Sequence, residues 1–247
     1  MYTETSNFLK GYKDKDDVVH TEFEYREMVG TDEEAISKPK VRQSGATVTR
    51  VLLERCIERI GTINKKDVKP NEWTKIIQSL AIGDQDVALM KIRELSLGDE
   101  IEVTHRCPHC KTKINSTYTL EEIPFIPYNG IEEIEFELPR GVRDKEGKLH
   151  KNGIMRHATG LDRELLSKTL TQNPSVANTL LLARCIRKIG DVPVTDKLLR
   201  ELVIKDRNYL FNLMTDNAFG YDISNFDIEC PNCGRDITIS FNHTDFL

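Results

Sequence analysis

The stretch IEVTHRCPHCKTKINSTYTL, residues 101–120, holds a Cys-Pro-His-Cys motif with two chemical readings. One is the reactive end of a thiol–disulfide oxidoreductase, in which a helix N-terminus lowers the pKa of the first thiol. The other is half of a four-thiolate metal site. The residues after Cys110 separate them. KTKINSTYTL carries three Thr, one Ile and a Tyr, which reads as a strand, so no helix dipole would face the thiol. A second stretch, NFDIECPNCGRDITISF (225–241), repeats the pattern: strand, Cys-Pro-x-Cys, strand. Two such hairpin tips are zinc knuckles. Each offers two sulfurs, and a tetrahedral site needs four.

The repeated motif belongs to a longer repeat, and repeats are sought before other signals. Residues 11–38 and 141–168 align at a constant offset of 130. They share Gly11/Gly141, Asp14/Asp144, Lys15/Lys145, His20/His150, Arg26/Arg156, Gly30/Gly160, Asp32/Asp162, Glu34/Glu164, Ser37/Ser167 and Lys38/Lys168. VLLERCIERIG (51–61) then matches LLLARCIRKIG (180–190), Asp84 and Gly98 answer Asp206 and Gly220, and the cysteine pairs follow. The chain reads as a duplication of the α+β class, with two pseudo-symmetric, mainly helical repeats that each end in a knuckle hairpin. The expected boundaries are a polar N-terminal tail over 1–10, a first repeat over 11–123, a linker strand segment over 124–140 and a second repeat over 141–247. Within each repeat, Asp32 or Asp162 is expected to N-cap a short helix. Gly61 or Gly190 is expected to end the following amphipathic helix as a C′ glycine. Further helices are expected over 71–81 and 195–204, and from Asp84 or Asp206 to Gly98 or Gly220. The segment 131–159 reads as a hairpin turning at Lys145-Glu146-Gly147.

Neither knuckle has a complete second pair nearby. His105 and His109 could serve the first, but Ile228 and Asn232 stand at those places in the second. The economical arrangement is one shared site, with Cys107 and Cys110 facing Cys230 and Cys233 across a pseudo-twofold axis. Closing a loop of about 120 residues costs about 4 kcal/mol. A structural zinc site contributes roughly 10–16 kcal/mol at neutral pH, so closure is favourable. Zinc is the expected ion, and iron fits the same tetrahedron. Four thiolates leave no open position for a water or substrate, so the site should be structural.

The remaining features exclude more than they assign. The 247 residues are 30% charged and 38% hydrophobic, an ordinary globular balance. A net charge of −5 disfavours nucleic acid, although Arg106, Lys111 and Lys113 flank the first knuckle. Around the second, Glu229 and Asp236 offset Arg235. No segment reaches the roughly 20 apolar residues of a membrane span, and the opening residues hold no apolar secretion signal. A reducing cytoplasm is therefore expected, where paired cysteines are metal ligands or redox groups rather than disulfides. Cys56 and Cys185 fall on apolar helix faces and read as core, and Trp73, which has no counterpart in the second repeat, reads as core or a docking contact. His20 and His150 are expected to make backbone hydrogen bonds, and Arg26 and Arg156 to pair with acids of their own repeat. No phosphate loop, nucleophile elbow or carboxylate pair is present, so no enzyme, no catalytic residue and no small-molecule substrate is expected.

One family shares the pattern FELPRG…D-EG-LH--G-MR-ATG-D, followed by NP and a Leu-rich Arg-Cys-Ile helix. The matching residues here are Phe136 to Gly141, Asp144, Glu146, Gly147, Leu149, His150, Gly153, Met155, Arg156, Ala158 to Gly160 and Asp162, then Asn173, Pro174 and 181–190. On these residues the chain resembles the hub assembly (chaperone) family of contractile-tail phage baseplates, of T-even type. The resemblance is strongest over 134–247. It implies an assembly role in the central baseplate hub, with other tail and hub proteins as partners. It also implies a location in the host cytoplasm during assembly or in the tail baseplate of the virion. Two alternatives remain: a zinc-ribbon nucleic-acid-binding factor of phage transcription, and a thiol oxidoreductase.

Overall fold

The computed structural model describes residues 2–222 and 226–239. The chain divides into two compact units, residues 1–127 with 219–247, and residues 128–218. These units cut across the sequence repeats, because the second knuckle hairpin belongs to the first unit.

In the first unit the elements run β1 (Thr3–Lys13), β2 (Val19–Arg26), α1 (Gly30–Ile36), α2 (Pro39–Arg42), α3 (Gly45–Cys56), β3 (Ile57–Ile60), β4 (Ile63–Asn64), α4 (Pro70–Ser79), α5 (Ile82–Leu97), β5 (Glu100–Arg106), β6 (Lys113–Thr119) and β7 (Phe125–Ile126). In the second they run β8 (Glu133–Arg143), β9 (Leu149–Arg156), α6 (Gly160–Gln172), α7 (Pro174–Cys185), β10 (Ile186–Ile189), α8 (Asp196–Glu201) and α9 (Ile204–Asp216). The chain then supplies β11 (Gly220–Tyr221), β12 (Phe226–Glu229) and β13 (Asp236–Ile239) to the first unit. The architecture is mixed α+β. The expected strand over 236–241 is seen as Asp236–Ile239, and Ser240 and Phe241 lie outside the described residues.

Both units open on a long antiparallel hairpin with an irregularity at the same point. Pairing shifts between Asn7 and Tyr12 in β1, and between Glu137 and Val142 in β8. The backbone N–H groups this leaves unpaired meet a buried aspartate. Leu9 and Lys10 donate to Asp84 Oδ1 at 2.7 and 3.0 Å, and Gly11 donates to Oδ2 at 2.9 Å. In the second unit Arg140 and Gly141 donate to Asp206 at 2.8 and 3.0 Å. Burial pushes the Asp84 pKa up, against the pull of those three N–H donors.

Several expectations need correcting. Residues 3–10 are not a tail. They form most of β1, and Phe8 is buried and stacked on Phe23 with ring centroids 4.3 Å apart. The 124–140 segment is not a separate linker either, since β7 pairs with β11 and β8 runs through the 140/141 boundary. Asp32 and Asp162 sit one turn inside their helices and reach back: the N–H of Val29 and of Thr159 donates to each carboxylate at 3.0 and 2.8 Å. The helices expected to end at Gly61 and Gly190 end earlier, at Cys56 and Cys185. There the backbone turns extended, and Ile57–Ile60 and Ile186–Ile189 pair with β2 and β9. β-Branched isoleucines suit either element, and the open strand edge decides for pairing. Gly61 then turns the chain at φ +55°, where a Cβ would lie 2.1 Å from the His20 ring. Gly190 does the same beside His150, at φ +51°.

Candidate metal centre

Each hairpin builds its knuckle in the same way. β5 and β6 pair in unbroken register from Glu100↔Thr119 to Arg106↔Lys113, which leaves residues 107–112 as the loop. Cys107 donates its N–H to the Thr112 carbonyl at 3.0 Å, and Lys111 donates to the Cys107 carbonyl at 3.0 Å. The second hairpin copies this: Cys230 N–H to Arg235 O at 2.9 Å, and Gly234 N–H to Cys230 O at 2.9 Å. The residue after the second cysteine is left-handed in both, with Lys111 at φ 62° and Gly234 at φ 64°. Glycine takes that conformation freely, whereas lysine takes it at a steric cost.

The two hairpins stack through their apolar faces. Ile101, Val103, Cys107, Ile114 and Tyr118 of the first share a core cluster with Phe226, Cys230, Ile237 and Ile239 of the second. Tyr118 meets Phe226 edge to face at 4.9 Å. This stacking brings all four expected cysteines together: their sulfurs lie within 4.8 Å of one another. Cys107 Sγ is 3.8 Å from Cys233 Sγ, and Cys110 Sγ is 3.8 Å from Cys230 Sγ. Those separations are far beyond a disulfide bond of about 2.05 Å. Sulfurs placed tetrahedrally at about 2.3 Å from an ion are about 3.8 Å apart. The donor set and its spacing therefore fit a tetrathiolate metal ion.

The thiols are electrostatically uneven. The Thr112 hydroxyl, then the Asn232 amide and the Thr112 N–H, pull the Cys110 thiol down to about 5. The Cys110 N–H pulls Cys107 down as well. Cys233 goes the other way: the Arg235 N–H draws it down, but burial and the neighbouring thiols push it up to about 12. Four sulfurs this close cannot all ionise unless a cation sits among them.

The other singled-out residues lie outside this group. His109 is exposed, with Nδ1 3.5 Å from an Arg235 guanidinium nitrogen. His105 keeps both ring nitrogens away from solvent without a hydrogen-bond partner among the described residues, and burial lowers its pKa. Cys56 and Cys185 are fully buried, and burial pushes both thiols up to about 12. Trp73 is core and donates its indole N–H to the Glu54 carbonyl at 3.2 Å. The histidines of the long hairpins pair with aspartates: His20 Nε2 is 2.9 Å from Asp14 Oδ2, and His150 Nε2 is 2.8 Å from Asp144 Oδ2. The backbone bond expected of them is minor: among the described residues, Asp191 N–H reaches His150 Nδ1 at 3.4 Å.

Arg26 and Arg156 do pair with acids of their own repeat. Arg26 forks onto Asp32 at 2.6 and 3.1 Å, and Arg55 adds a third bond at 2.5 Å. Arg156 forks onto Asp162 at 2.6 and 3.1 Å, with Arg184 at 2.6 Å. Sequence reasoning missed the aspartate that catches the hairpin bulge. Its signal was present, because Asp84 and Asp206 recur among otherwise divergent residues.

The chain is thus a mixed α+β protein whose two knuckles gather four thiols in an arrangement that could hold a metal ion. The chain belongs to the family of T4 bacteriophage base plate proteins, whose model matches residues 12–195. That match includes the first cysteine pair and stops before the second. No curated protein and no solved structure matches the chain.

Proposed function

We propose that this protein acts in assembling the central hub of a contractile-tail baseplate, as a chaperone or as a hub component, and that its four-cysteine group holds a structural zinc ion. The carrying observation is the family match over residues 12–195, which makes it a phage baseplate protein with a structural or assembly role. Its partners are other baseplate proteins. The four thiols within 4.8 Å support the ion's part in this reading. Bound there, zinc joins two hairpins separated by 120 residues of chain, and it catalyses nothing because every coordination position is a sulfur. Among the described residues the hairpins share apolar area but no backbone ladder, so a bound ion would add a direct link between them. We also read the chain as an internal duplication. Recurrence of the Arg–Asp–Arg group, the His–Asp pair and the aspartate under the hairpin bulge supports this.

Co-expression with the neighbouring tail proteins, followed by affinity capture of this chain, tests the role. Recovery of a hub or spike protein is the expected result, and recovery of RNA polymerase would overturn it. Metal analysis of the purified chain should give about one zinc per chain. A ratio near zero or near two defeats the shared site.

A further inference from the structure

The knuckle tips touch across the two hairpins in a reciprocal way. In each Cys-Pro-x-Cys, residue x meets the residue two past the second cysteine of the other motif. Asn232 Nδ2 donates to Thr112 Oγ1 at 3.0 Å, and Arg235 Nη1 lies 3.5 Å from His109 Nδ1. Only the first of these contacts continues to a sulfur. Thr112 Oγ1 is 3.4 Å from Cys110 Sγ: the protonated thiol donates to the hydroxyl, and once the sulfur is a ligated thiolate only the hydroxyl can donate. The amide of one hairpin therefore occupies a lone pair of the hydroxyl of the other. This leaves the hydroxyl hydrogen free to point at the sulfur.

We propose that Thr112 and Asn232 are positioning residues for the metal site: Asn232 orients the Thr112 hydroxyl, which donates to the Cys110 thiolate and holds that sulfur in its binding geometry. This rests on the metal reading above. A sulfur ligated as thiolate has no proton to give, so the hydroxyl must be the donor and the amide must supply the hydroxyl's own partner. The donors run from Asn232 to Thr112 to Cys110, with the Asn232 amide also drawing on the Cys110 sulfur itself, and the Asn232–Thr112 bond joins the hairpins independently of the ion. The mirrored contact, His109 with Arg235, is longer and has no hydroxyl. The surroundings of the four sulfurs are therefore asymmetric although the loops around them are alike. Outer groups that orient ligands typically change metal affinity by about 10–100-fold when removed.

Co2+ binding to the full chain tests this, with Zn2+ competition for affinity. Thr112→Val keeps the side-chain shape and removes the hydroxyl. It should weaken Co2+ binding about tenfold and move the sulfur-to-cobalt charge-transfer band to lower energy, because a thiolate that loses a hydrogen bond holds its electrons less tightly. Thr112→Ser should restore both, and Asn232→Ala should move both in the direction of Thr112→Val by less. Thr104→Val, in the same hairpin but bonded to Asn115 at 2.9 Å rather than to the metal site, should change neither. An unchanged band and affinity in Thr112→Val, beside a normal wild-type spectrum, would overturn the positioning role alone. Absence of tetrathiolate cobalt bands in the wild type would overturn the metal reading, and this one with it.

Discussion

The Arg26–Asp32–Arg55 group and the four-cysteine group are both buried polar clusters that hold a unit together, yet they close over very different stretches of chain. Asp32 finds Arg26 six residues away and Arg55 23 residues away, and in the second unit Asp162 finds Arg156 six and Arg184 22 residues away. Cys107 and Cys110 meet their counterparts 126 and 120 residues on. The first kind of cluster is complete within one short stretch of its own unit, so each unit holds one. The second needs both Cys-Pro-x-Cys motifs. A locally closed cluster therefore stabilises its own unit, while a distantly closed one stabilises the arrangement of hairpins around it.

The largest effect should come from opening the distant cluster. Cys110→Ser, or a strong chelator, should release the metal. It should also strip hydrogen-exchange protection from β5, β6, β12 and β13, while the β8–β9 hairpin of the second unit keeps its own. Equal loss of protection in β8 and β9 would mean that the two kinds of cluster are not separable.

Breaking a local cluster should come next. Asp32 and Asp162 are fully buried beneath two guanidinium groups each. Asp162→Asn leaves Arg156 short of its counter-charge and should cost about 3 kcal/mol in urea unfolding, with metal content unchanged. A loss of metal in that variant would break the contrast.

Acid sharpens it. Burial alone would raise Asp32 and Asp162, but bonds from Arg26 and Arg156, the backbone N–H groups and the second arginines hold both at about 2. Because the folded-state pKa is depressed, this stability is fully present above the ordinary carboxylate value of about 4. It is then lost as pH falls from there towards 2. In the Cys110→Ser chain, where metal release cannot contribute, unfolding midpoints should be flat down to about pH 4 and then fall. Replacing both aspartates with Asn should shrink that fall, leaving the part that Asp14 and Asp144, lowered by their bonds to His20 and His150, contribute.

The smallest change concerns the two knuckles. Lys111 sits at φ 62° where its counterpart is glycine, so Lys111→Gly should stabilise the first hairpin by about 1 kcal/mol. Gly234→Ala should destabilise the second by a similar amount. Thermal melts of the metal-loaded chain measure both.

The two cysteine pairs, their flanking strands and the recurrence of Arg26, Asp32 and His20 at Arg156, Asp162 and His150 were all legible in the residues. So was the exclusion of a redox helix after Cys110, since Thr and Ile crowd the segment that becomes β6. Thr112 and Asn232 were not legible, because a threonine and an asparagine in polar loops carry no periodic signal. Their meaning appears only when the hairpins face each other.

Spacing and side-chain chemistry determined which four thiols could share an ion and that Arg26 and Arg156 would pair with acids of their own repeat, though not which acids. Both depend on residue type and on short-range pattern. Only the tertiary structure decided that Ile57–Ile60 leaves its helix to extend a sheet, that residues 3–10 are a strand, and that the last hairpin joins the first unit. Each of those outcomes turns on backbone N–H and C=O groups that a distant strand leaves open, and local sequence cannot register an edge it does not contain.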